Sequence, residues 1–287
     1  MIIFMNKNLL NELYFKTFRS GNPLYLFIGI NILVFLAIGI ISVGGFLLGA
    51  GTSSADWISR QLSMPANLET LAYKPWTIIT YMFLQREVFH ILFNLLWLYW
   101  MGMIFMDFLN KRQFIFTYLA GGITGALLYL LAYNTLPAFT GLAQNSILLG
   151  SSASVMAVVI ATATLVPDFT IRLLLFGTVR LKYLAIAYFV LDIIGMSGGN
   201  PGGSIAHIGG AILGFVFIKQ LNSGRDFSKI LKKRSRLKVV QNKSSTRSET
   251  IHTDQDTIDK ILDKISKSGY DSLNKTEKEA LFKASKK

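Results

Sequence analysis

The chain has 287 residues, 52% of them hydrophobic and only 16% charged, and 29 Lys and Arg against 16 Asp and Glu leave a net charge of +13. The apolar residues collect in runs of membrane-crossing length over the first three quarters, with the charges between the runs and in the tail; this excludes one large soluble domain and indicates a multi-span membrane protein. Cysteine is absent, which excludes disulfide frameworks, thiolate metal sites and a Cys nucleophile.

Residues 1–23 have polar side chains every few positions and no small-residue cleavage site before the long apolar run, so they read as a cytoplasmic arm rather than a removable signal peptide. Leu9, Leu10, Leu13 and Phe15 inward, with Lys7, Lys16 and Arg19 outward, predict an amphipathic helix on the membrane surface. Runs of about twenty apolar residues then predict six spans, near 24–47, 88–107, 114–133, 148–166, 180–196 and 203–220, within one domain over 24–221. The arm, the second-to-third connection (Lys111, Arg112) and the fourth-to-fifth (Arg172, Arg180, Lys182) are basic, whereas 134–147 and 197–203 hold no Lys or Arg. By the positive-inside rule both termini are cytoplasmic.

The long connection 48–87, with Pro65, Pro75, Trp57 and Trp76, reads as an outer loop lying partly in the interface. Asp192 interrupts the fifth run, as expected of a movable wall or of a helix packed against a hydrated interior. Beyond 222 the composition turns polar: 222–256 reads as a basic flexible linker and 257–287 as a small soluble helical hairpin. In the hairpin, Ile258, Ile261, Leu262 and Ile265 form one face, Gly269 ends the first helix and Thr276 caps the second. The cluster Lys229, Lys232, Lys233, Arg234, Arg236 and Lys238 directly follows a span, so its expected partners are anionic headgroups of the lipid bilayer rather than nucleic acid.

Three runs carry chemistry. The fourth begins LLGSSASVMA, where Gly150 permits close backbone approach and Ser152 sits early in the helix. The sixth reads GGSIAHIGGAILGF and places His207 at a similar expected depth, while Gly210 and Gly214 make a G-x-x-x-G spacing that lets two backbones close up. A serine hydroxyl needs a hydrogen-bonded base to take its proton, and neutral imidazole is such a base. In the second run HILFN puts His90 and Asn94 on one helix face; with the Ser152 N–H they can donate to an oxyanion.

The ordered set H-x-x-x-N, G-x-S-x and A-H-x-G-G-A-x-x-G resembles the rhomboid family of intramembrane serine proteases over about residues 24–220. The resemblance implies a six-transmembrane-helix, all-α membrane bundle. It also implies Ser152 as nucleophile, His207 as base, and His90, Asn94 and Ser152 at the oxyanion site. The family's dyad works without an acid, which fits the lack of an obvious Asp beside His207 in the sequence. Implied substrates are single-span or few-span membrane proteins cut near the outer membrane boundary, with access between the second and fifth spans. No cofactor is implied. Ala153 and Met156 stand where the family usually has Gly and an aromatic, and Trp76-Thr77 and Asp107 also depart from its pattern, but none of these removes a group that handles protons.

Other classes fit less well. Glu87-x-x-His90 has a di-metal spacing without the second copy such sites need, so no metal site is expected. An aspartyl protease requires two Asp within spans, and only Asp192 lies well inside one. A catalytically silent rhomboid-like protein that binds and delivers membrane helices is the runner-up, opposed by intact Ser152 and His207; a transporter comes third, lacking inverted repeats. Absence of organelle signals makes a bacterial cytoplasmic membrane the expected location.

Overall fold

The computed structural model describes residues 7–173, 177–196, 199–232 and 249–284, in two units that divide after Lys232. The first unit runs α1 (Lys7–Tyr14), α2 (Pro23–Leu47), α3 (Ser53–Leu62), β1 (Met64–Pro65), α4 (Leu68–Tyr73), α5 (Thr77–Thr80), α6 (Val88–Phe108) and α7 (Lys111–Thr135). It continues through β2 (Ile147–Leu148), α8 (Ser152–Leu165), β3 (Thr170–Leu173), β4 (Gly177–Arg180), α9 (Leu181–Gly195) and α10 (Pro201–Asn222).

Helices α2, α6, α7, α8, α9 and α10 occupy the six apolar runs. Four of them, α2, α6, α7 and α10, are long and apolar enough to cross a membrane. Helix α8 is apolar but has only 14 residues, and α9 has 15. At 1.5 Å per residue α8 rises about 21 Å, short of a hydrocarbon core of about 30 Å. The fourth apolar run is shortened because its first residues are spent on β2 and a turn at Gly150, whose φ of 119° is open to glycine but not to bulkier residues.

The start signals are local. Asn22 with Pro23 opens α2 and Asn200 with Pro201 opens α10; in each the Asn side chain accepts from a first-turn N–H. Asn110 and Gln113 form a reciprocal capping box on α7. The all-α expectation needs one amendment: two short antiparallel ladders are present. β1 pairs with β2 through Met64–Leu148 and Pro65–Ile147, and β3 pairs with β4 from Thr170–Arg180 to Leu173–Gly177.

The centre of this unit is the contact of α10 with α7 and α8, made close by glycines. A Cβ on Gly209 would stand 2.7 Å from Gly125 Cα and from the Thr124 carbonyl oxygen, and Cβ atoms on Gly210 and Gly214 would strike the carbonyls of Ala153 and Ala157. Around this seam Tyr81, Phe105, Phe114, Tyr118, Tyr129 and Phe217 fill the core. Outward faces of α2 and α6 stay apolar, with Leu33, Leu36, Ile40, Phe89 and Phe93 exposed, as a lipid-facing surface requires. Leu13 and Phe15 of the arm are exposed too, while the side chains of Lys7, Leu9 and Leu10 lie outside the described residues. After α10, Asp226 accepts from Arg112 of α7 at 2.7 Å, and its other oxygen accepts from the Ser228 N–H and hydroxyl.

The second unit holds α11 (Glu249–Ser268) and α12 (Lys275–Ala284). Its first helix begins eight positions before the expected Thr257; Gly269, at φ 76°, ends it as expected. Asn274, not Thr276, caps α12: its side chain accepts from Glu277 N–H, and Glu277 answers to the Asn274 N–H. Thr276 only donates to Asn274. Ile261 and Leu273 are buried between these helices, and Lys264 pairs with Glu277 at 2.9 Å. Of the basic cluster only Lys229 and Lys232 fall within the described residues; 233–248, the middle of the expected linker, lies outside them.

Candidate active site

Ser152 is the first residue of α8 rather than a turn inside it. Its backbone N–H is therefore among the first-turn donors with no intrahelical acceptor. Gly150, two residues earlier, holds the chain in place by donating to the Tyr81 carbonyl at 3.0 Å. The space beside its Cα is shared by two of the expected site residues: a Cβ there would stand 3.2 Å from His90 Cε1 and 3.5 Å from Ser152 Oγ. The α6 imidazole and the α8 hydroxyl thus flank one glycine.

His207 lies two turns down α10, not at the helix position that matches Ser152. The glycine seam packs their two helices against each other, and no hydrogen bond joins Ser152 Oγ to His207 Nε2 among the described residues. A Cβ on Gly125 of α7 would stand 2.8 Å from Ala153 Cβ and 2.6 Å from the Ala206 carbonyl, so the residues next to Ser152 and His207 close on the same point. Gly210, one turn past His207, packs on the backbone of Ala153, and Gly214 on that of Ala157. Nε2 of His207 is buried without a hydrogen-bond partner among the described residues.

The expectation that no acid stands beside His207 is overturned. Oδ1 of Asp192 lies 2.7 Å from His207 Nδ1, both side chains being mostly buried, at 15% and 13% exposure. Ser204 donates to the Asp192 carbonyl at 3.1 Å, fixing α9 to α10 at the same level. The fifteen-residue sequence separation hid this pair, because a loop and two turns of α10 intervene. Asp192 is the polar interruption of the fifth run, and its side chain turns toward α10.

Asn94, one turn below His90, is buried, and its Nδ2 donates to Gln85 Oε1 at 3.2 Å. Gln85 in turn donates to Ser151 Oγ at 2.7 Å and to Asn31 Oδ1 at 3.2 Å, and Asn31 donates to Tyr118 and to the Phe27 carbonyl. This buried chain of amides and hydroxyls ties α2, α6, α7 and the start of α8 together. Sequence reasoning missed Gln85 and Asn31; the signal was a lone amide in or beside an apolar run, costly in hydrocarbon unless partnered. Ser151 accepts from Gln85, and Ser154 Oγ is buried without a partner among the described residues.

A cavity of about 250 Å³ opens beside this group, lined by Arg86, Glu87, His90, Asn200 and residues 147–149. Its lining mixes charged, imidazole and amide groups with apolar Ile147, Leu148 and Leu149.

Residues 72–222 match a family model described as Rhomboid domain, and residues 248–287 match a family of unknown function, DUF6576. The chain is 28% identical over 158 residues to RHOMBOID-like protein 12, mitochondrial, of Arabidopsis thaliana, an alignment covering 52% of this chain and 47% of that protein. It therefore spans about half the length of that relative. The Rhomboid match takes in more than half of the chain and includes His90, Asn94, Ser152 and His207 on the helices just described, and the chain belongs to the rhomboid family.

Proposed function

We propose that this protein is an intramembrane serine endopeptidase that cuts membrane-protein substrates at or near their transmembrane helices. Ser152 is the nucleophile and His207 its base; the Ser152 N–H, His90 and Asn94 donate to the oxyanion. The observation that carries this reading is the convergence on the glycine seam: a helix-start serine beside one imidazole, and a second imidazole with a buried, unpartnered Nε2 on the helix packed against it. An unpartnered nitrogen in hydrocarbon is costly unless a functional proton visits it.

The six helices α2, α6, α7, α8, α9 and α10 each cross or enter the bilayer, with both termini on the cytoplasmic side and the site toward the outer face. Peptide bonds within a helix are shielded, so a substrate must unwind locally, and residues that weaken helices favour this. Substrates reach the site between α6 and α9. The basic stretch after α10 lies against anionic headgroups.

The test is cleavage of a single-span membrane protein in liposomes, with fluorophosphonate labelling in parallel. Ser152→Ala and His207→Ala each abolish cleavage and labelling, and the double variant is no worse because the pair acts as one unit. Cleavage by Ser152→Ala at the unaltered rate removes the assignment; helix binding without labelling of the unaltered protein establishes the silent binder instead.

A further inference from the structure

Resting on the serine-protease reading, we propose that Asp192 is a positioning residue for His207, so that this chain uses a carboxylate–imidazole–hydroxyl relay rather than a dyad. An ionised carboxylate only accepts hydrogen bonds, so at 2.7 Å from Oδ1 the Nδ1 of His207 is the donor. In the neutral ring that selects the tautomer with the proton on Nδ1 and the lone pair on Nε2, the nitrogen left buried and unpartnered. The opposite tautomer would present an N–H to the serine and could not accept its proton.

In the reaction the Ser152 O–H proton passes to Nε2 as Oγ bonds to the substrate carbonyl carbon and the carbonyl electron pair moves to oxygen. His207 becomes imidazolium, and Asp192 faces its Nδ1–H, offsetting a positive charge formed away from bulk water. Nε2 then gives its proton to the leaving amine nitrogen as the C–N bond breaks. Water repeats the sequence on the acyl-enzyme: its proton goes to Nε2, its oxygen bonds to the acyl carbon, and Ser152 recovers the proton as the ester bond breaks.

Asp192 is placed for this by more than one contact. Ser204, one turn before His207, donates to the Asp192 carbonyl at 3.1 Å and approaches Oδ1 at 3.5 Å, so backbone and carboxylate are both registered against α10. The second carboxylate oxygen is buried and has no partner among the described residues. A carboxylate serving only to staple two helices would engage both oxygens; here the strong bond goes to the imidazole alone.

The experiment compares the full-length protein with Asp192→Asn and Asp192→Glu in liposomes, reading kcat and KM separately, fluorophosphonate labelling, and thermal unfolding. Nitrogen-15 NMR of the histidines is the further readout; the chain has only three, so the spectrum is tractable. Expected are a wild-type His207 protonated on Nδ1, a fall in kcat of about 10²–10⁴-fold for Asp192→Asn by analogy with soluble triads, KM and unfolding temperature nearly unchanged, and partial rescue by Glu. A wild-type His207 protonated on Nε2 overturns the proposal even if every variant misfolds. So does full-rate cleavage by Asp192→Asn, or a loss seen only as a raised KM or a lowered unfolding temperature. Should the unaltered protein neither cleave nor label, the protease reading fails, while the tautomer still reports whether Asp192 orients the ring.

Discussion

Trp97 on α6 and Tyr188 on α9 stack face to face, their ring centroids 4.8 Å apart and their planes inclined by only 13°. The stack fastens the two helices between which substrates are proposed to pass. Trp97→Ala or Tyr188→Ala removes a contact worth about 0.5–1.5 kcal/mol beyond its buried area. Turnover of a membrane-embedded substrate should rise several-fold in either variant, with Ser152 labelling by a small probe unchanged. Unaltered or slower turnover would place the passage elsewhere.

Gln85 accepts from Asn94, the amide proposed for the oxyanion site. Asn94→Ala should lower kcat by about 10²–10³-fold, leaving a remnant supplied by the Ser152 N–H. Gln85→Leu keeps the volume but frees Asn94 and strips Ser151 and Asn31 of a donor, so a smaller fall in kcat should accompany a loss of about 1–3 kcal/mol in stability. Steady-state cleavage and thermal unfolding in detergent measure both. A stability loss with kcat intact would make Gln85 purely structural.

The glycines of α10 and α2 make opposite predictions. Gly210→Ala drives a methyl group into the Ala153 carbonyl and must separate α10 from α8, costing about 1–3 kcal/mol and most of the activity. Gly39, mid-helix in α2, has nothing within 4 Å of a would-be Cβ. Gly39→Ala should stabilise by about 0.5–1 kcal/mol through the unfolded chain and leave cleavage as it was. Equal effects at the two positions would contradict the close backbone seam.

Stability at acid pH should report on Asp226. Burial pushes its carboxyl up, but the Ser228 hydroxyl and N–H together with Arg112 prevail and hold it below the ordinary carboxylate value. A carboxyl depressed in the folded state contributes fully above its unfolded pKa, near about 4, and loses that contribution as pH falls through the folded value. The unfolding temperature should therefore be level with respect to this group from pH 7 to about 5 and drop below about 4. Arg112→Gln should cost about 1–3 kcal/mol at neutral pH and make the acid drop shallower. An unchanged acid limb in that variant refutes the pairing.

The six apolar helices of the first unit were legible because each is an apolar run bounded by Asn, Pro or basic residues, and the candidate site because Ser152, His90, Asn94 and His207 are polar groups where hydrocarbon penalises them. What was not legible is whatever depends on chain direction rather than spacing. The fourth run looked long enough to span, but β1 draws Ile147 and Leu148 into a ladder and Gly150 turns the chain, so Ser152 opens the helix. Equal depth for Ser152 and His207 was inferred from position along each helix; the close packing of the helices that carry them comes from Gly125, Gly209 and Gly210 at the crossing of α7, α8 and α10. Asp192 was visible as an oddity and Gln85 was missed; the partners of neither were legible, since nothing in a linear pattern says which neighbouring helix a polar side chain will face.

Asp192 belongs to α9, the helix that the Trp97–Tyr188 stack fastens to α6. A hydrogen bond of 2.7 Å has little slack, and displacing α9 by about 1 Å along it already brings the pair beyond useful length. If substrates do enter between α6 and α9 as proposed, parting those helices would unlatch His207 from its carboxylate, bond cutting would wait for α9 to swing back, and a bystander that merely pried the helices apart would meet an imidazole adrift.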